Sequence, residues 1–176
     1  EFSAGTFPFQ VNQGQTSNVL AQADINFTNV ADQTIAAYTL IIQGDGYTPT
    51  ISVVADNLQM LDSRTGRIAF YNATANPVTL MDFGSDNDRV IDADRKTPDD
   101  AVLVEGVASG QSVELPIVSV NTDVTKWGLV DAANLKTELV RLRNPEVYSV
   151  GNTSSQLWVA ATQRGLDGSS RTVVIP

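Results

Sequence analysis

Between Asp82 and Asp100 the chain gathers Asp82, Asp86, Asn87, Asp88, Asp92, Asp94, Asp99 and Asp100. These are hard oxygen donors of the kind calcium takes, and Asp86, Asp88, Asp92 and Asp94 are the candidate ligands. Their spacing does not follow the EF-hand pattern, and Arg89, Arg95 and Lys96 stand inside the cluster, where they neutralise it directly. A solvated polar loop is therefore the favoured reading, and calcium the one cofactor worth testing. Gly44-Asp45-Gly46 reads as a turn, because glycines on both sides supply the positive φ angles that tight turns need.

Histidine and cysteine are both absent. That removes disulfides, thiolate and imidazole metal sites, Ser-His-Asp triads and histidine acid-base chemistry. A glycosidase-type carboxylate pair or a Ser-Lys pair remains, but with three lysines and dispersed glutamates the sequence predicts a protein that is not an enzyme. Asn-x-Ser/Thr triplets at Asn26, Asn72 and Asn152 are candidate glycosylation sites. Asn72, in a turn-like stretch before Pro77, reads as the most accessible, and Asn26 points outward from a strand. Tyr47, Tyr71, Trp127, Tyr148 and Trp158 suit either a sugar-stacking platform or, more commonly for strand tryptophans, a core.

The elements that must hold these residues are strands. Val, Ile, Thr, Tyr and Phe recur in short runs separated by Gly, Asn, Asp, Pro and Ser, the punctuation of an all-β domain. The expected strands are 7–11, 24–30, 34–42, 50–54, 67–72, 77–83, 101–107, 112–120, 139–143, 156–162 and 171–175. The apolar stretch 34–42 reads as the central strand of the core. Leu129 to Leu139 alone has helical spacing. The predicted fold is a single-domain β-sandwich, jelly-roll or Ig-like with Greek-key connections, formed by residues 18–176. Residues 1–17 precede it as an extended strand and a flexible joint.

At 176 residues with 42% hydrophobic and 18% charged, the chain can bury a core and is not acidic disorder. Its net charge of -9 repels a phosphate backbone, so nucleic acid is not an expected partner. No apolar run is long enough to span a bilayer. The start shows no basic stretch followed by an apolar one, so a chain already free of any signal peptide is expected.

The opening residues put Phe7, Phe9 and Val11 on one face of an extended segment, and Pro8, which cannot donate to a ladder, favours an edge position. Phe2-Ser3-Ala4-Gly5-Thr6-Phe7 resembles the Phe-x-Ala-Gly-Thr segment of the TasA/camelysin family of secreted biofilm-fibre proteins and of related archaeal bundling pilins. The match covers about the first ten residues. The resemblance implies a secreted, extracellular subunit that polymerises with copies of itself by inserting its first strand into the next subunit, with Phe2, Ala4, Phe7, Phe9 and Val11 as donor-strand residues. Such strand addition gives main-chain hydrogen bonds and alternate side-chain pockets. A monomeric cell-surface module for carbohydrate or another ligand is the alternative, distinguished by whether residues 1–11 pack within their own domain. A virion or tail protein is a third reading.

Overall fold

The computed structural model describes residues 5–27, 37–44, 48–57, 59–84, 101–143, 148 and 150–176. The chain divides into two compact units, residues 1–59 and 60–176, and the described elements are strands apart from one 3-10 turn at Val124–Lys126. The all-β class expected from the sequence is what the chain adopts.

The first unit consists of two antiparallel hairpins. β1 (Gly5–Asn12) pairs with β2 (Val19–Phe27), and β3 (Ala37–Gln43) pairs with β4 (Thr50–Asp56). The first hairpin is sorted by pleat: Phe7 faces Ile25, Phe9 faces Ala23 and Val11 faces Ala21, while Thr6, Pro8 and Gln10 lie on the other face opposite Asn26, Asp24 and Gln22. Directly opposed residues share a face, so one side of the hairpin is apolar and the other polar. Among the described residues of this unit, Ile25 and Val54 are the buried hydrophobics.

The stretch expected to be the centre of the core behaves otherwise. Residues 34–36 lie outside the described residues. Among the described residues β3 pairs with β4 alone, through seven consecutive positions, and Leu40 and Ile42 are 40% and 62% exposed. Apolarity on both faces of a run fits a central strand, but a strand with one partner has only one neighbour to bury against.

The second unit carries the sandwich. Its strands are β5 (Thr65–Asn72), β6 (Val78–Asp82), β7 (Ala101–Val107), β8 (Ser112–Glu114), β9 (Val118–Ser119), β10 (Trp127–Asp131), β11 (Asn134–Arg141), β12 (Ser155–Arg164) and β13 (Ser170–Ile175). One sheet runs β11-β10-β6-β7, and the other runs β13-β12-β5-β8 with β9 also on β5. All pairs are antiparallel except β5 with β12. Ile68 and Phe70 of β5, Val78 and Leu80 of β6, Leu129 of β10 and Trp158 and Ala160 of β12 fill the core. β5 is the real central strand, because Arg67, Tyr71 and Asn72 are buried as well. Arg67 is tolerated there because its Nε donates to Glu114 Oε1 at 3.0 Å; a buried cation without such a partner is strongly destabilising.

Two further expectations are corrected. Leu129 to Leu139 is not a helix but the β10–β11 hairpin. Leu129 enters the main core while Val130 packs with Met81 and Phe83, and consecutive burial on opposite faces is a strand property. Asp131 Oδ1 accepts from the Ala133 N–H at 2.8 Å and Asn134 Oδ1 from the Lys136 N–H at 3.2 Å, so both acidic and amide side chains build the turn. Residues 112–120 are two strands, since β8 ends at Glu114 and β9 begins at Val118, with Pro116, which has no N–H to contribute, in the gap. Leu115 still donates its N–H to the Ile68 carbonyl at 2.9 Å, whereas Ile117 turns outward.

Candidate assembly strand

β1 is the element that carries the expected donor residues. Phe2 and Ala4 lie outside the described residues. Phe7, Phe9 and Val11 share one face and are each half-buried, whereas Thr6, Pro8 and Gln10 are exposed. Phe27 ties the apolar face together: its ring lies 5.8 Å from Phe7, 5.9 Å from Phe9 and 4.9 Å from Tyr38. Such tilted and edge-on rings attract beyond simple area burial.

The stretch up to Ser17, read in the sequence as a joint, closes the hairpin together with Asn18. The Gln13 N–H donates to the Asn18 carbonyl at 2.9 Å, and Thr16 returns both its N–H and its hydroxyl to the Gln13 carbonyl at 3.0 and 2.6 Å. The Asn18 amide donates to Gln13 Oε1 at 3.0 Å. β1 is therefore paired along its whole length on one side with β2, its single strand partner among the described residues. The sequence feature that announced this loop was its density of Gln, Asn, Gly and Ser, which is a turn signal as much as a linker signal.

The remaining expected sites separate cleanly. Asn26 is exposed on β2, as its alternation predicted. Asn152 is exposed in the turn before β12, where its Oδ1 accepts from the Arg64 N–H. Asn72 is the opposite of accessible: it is fully buried. Its Nδ2 donates to the carbonyls of Asn76 at 2.9 Å and Val107 at 2.8 Å. Its Oδ1 accepts from Thr74 N and Thr74 Oγ1 at 2.9 and 2.7 Å. The turn-like sequence was real, but the side chain folds inward to satisfy the turn's own backbone.

Asp86, Asp88, Asp92 and Asp94 lie outside the described residues. Asp82, at the head of that stretch, has a structural role, accepting from Trp127 Nε1 at 3.1 Å and from the Gly84 N–H at 2.9 Å. No group of three or more acidic side chains suited to a metal occurs among the described residues. Tyr47 is likewise outside them, and Tyr71, Trp127 and Trp158 are buried, so these three cannot form a sugar platform. Trp158 sits between Trp127 at 6.0 Å and Tyr148 at 5.7 Å. Burial raises the Tyr148 hydroxyl above its ordinary pKa, and that hydroxyl donates to the Val174 carbonyl at 2.7 Å.

Compared with protein-family models and with curated proteins, the chain matches neither. Among the described residues, no helix is long and apolar enough to cross a membrane.

Proposed function

We propose that this chain is a structural subunit of an extracellular filament, a pilus or biofilm-matrix fibre, whose copies join by strand complementation through β1. The observation that supports this most is the state of β1 itself. It carries no charge, has β2 as its single strand partner among the described residues, and leaves Phe7, Phe9 and Val11 only half-buried. Isolated hairpins are marginally stable in water, and a further strand partner adds both ladder hydrogen bonds and apolar cover. An exchanged or added terminal strand is a heterologous contact, which propagates rather than closes.

Light scattering of the purified chain at rising concentration tests this reading. The native sequence is expected to grow into large assemblies, and Phe7→Asp with Phe9→Asp is expected to remain dispersed. Equal growth of both proteins would sink the proposal.

One observation favours a different function. The eight-residue pairing of β1 with β2 is a complete resting place for the strand within its own chain. On that ground a monomeric cell-surface binding module is the second reading, with Asn26 and Asn152 as its glycan-bearing positions.

A further inference from the structure

The charges divide between the two units unevenly. Residues 1–59 contain no Lys or Arg, and their charged side chains are Glu1, Asp24, Asp32, Asp45 and Asp56. All eleven basic residues fall in 60–176. Two first units repel one another, and a first unit is drawn to the basic part of a second unit.

Three of those basic residues lie on one side of the sandwich, where the β12–β13 turn also carries Asp167. β11 of one sheet lies beside β13 of the other. Lys136 on β11, Arg164 at the end of β12 and Arg171 on β13 are exposed. None of the three pairs with a carboxylate among the described residues, while Glu138 is already held by Arg141 at 2.9 Å. Gln163 Oε1 fixes the Arg171 guanidinium, accepting from Nε at 3.0 Å and from Nη2 at 2.8 Å. The opposite side, β7 with β8 and β9, contains Glu105 and Glu114 and no basic residue.

The sheet edges differ in the same sense. Natural edges are blunted by bulges, shortness or proline. β11 and β7 each have two register shifts against their partners, and β8 has three residues. β13 pairs with β12 through six consecutive positions with no irregularity. Among the described residues the Tyr148 hydroxyl covers the edge at Val174, and Ser170 to Val173 have no strand partner besides β12.

We infer that the β13 edge, flanked by Lys136, Arg164 and Arg171, is the surface on which β1 of a second copy of this chain docks, head to tail. This rests on the filament reading and adds the acceptor to it. The uncharged β1 supplies the strand, and the cation-free first unit that carries it, with Asp24 beside Pro8 on the polar face, supplies the charge complement.

The absence of cysteine makes the test clean. The full chain with Thr6→Cys and Thr172→Cys is treated with a short bis-maleimide, beside a control with Thr6→Cys and Val102→Cys on β7, and the same samples are imaged by electron microscopy. A ladder of covalent multimers from the β13 pair and none from the β7 pair is expected. A ladder from the β7 pair alone, closure within one chain at monomer size, or visible fibres with no cross-link from the β13 pair would each overturn the acceptor while leaving the filament. An absence of fibres from the unmodified protein would overturn both. As an independent variant, Arg164→Glu with Arg171→Glu is expected to slow fibre nucleation about tenfold at low salt, and an unchanged rate contradicts the inference.

Discussion

Asn72 shows what a single side chain decides in this fold. Its amide fills four hydrogen bonds around the 73–76 turn and the end of β7, and alanine there takes the buried partner from the Val107 carbonyl and the Thr74 N–H, while the Asn76 carbonyl keeps Thr74 Oγ1. Asn72→Ala is expected to lose about 3 kcal/mol in urea unfolding, and a loss below about 0.5 kcal/mol contradicts the assignment. Tyr148 gives a pH signature. Its folded pKa is raised, so the folded chain prefers the protonated phenol. That contribution is complete below the ordinary tyrosine pKa of about 10 and is lost as pH rises through the folded value. Melting temperature is expected to fall more steeply above pH 10 in the native chain than in Tyr148→Phe, and parallel curves would contradict it. The identity of Asn72 as a turn residue was legible in the sequence. Its direction was not, because nothing local says whether an amide caps its own loop or faces water.

At the scale of elements, strands were legible wherever alternation coincided with turn residues. β1, β4, β5, β7, β12 and β13 lie where the pattern put them, to within a few residues. The β10–β11 hairpin was hidden because Leu129, Ala132, Ala133 and Leu135 satisfy a helical period, while the features that select strands are tertiary. One of them is Gly128, where an added Cβ meets the Val140 carbonyl at 2.6 Å and the Phe83 ring at 2.8 Å. That ring is covered in turn by Arg141, whose Cζ lies 3.4 Å from its centroid. Gly128→Ala is expected to destabilise the chain by about 2–3 kcal/mol, measured by chemical denaturation, and a neutral result would show that β10 and β11 separate easily. The donor residues Phe7, Phe9 and Val11 were legible as one face. Their pairing with β2 was not, since the loop between them reads equally as linker and turn.

For the whole molecule, the two units differ in how much they bury. Both tryptophans, Trp127 and Trp158, belong to the second unit's core, so tryptophan emission reports that unit alone. The first unit, with two buried hydrophobics among its described residues, is expected to melt earlier. Urea unfolding followed by far-ultraviolet circular dichroism is therefore expected to begin at lower denaturant than the fluorescence transition, and coincident curves would mark one cooperative body. A thinly buried unit joined to a well-packed one is consistent with a first unit that gains its missing cover from another copy. The most direct test of that account is negative-stain electron microscopy of the full chain beside one lacking residues 1–11, in the same buffer. The account predicts fibres from the full chain and dispersed particles from the shortened one. Identical fibres from both, or dispersed particles from both, would contradict it.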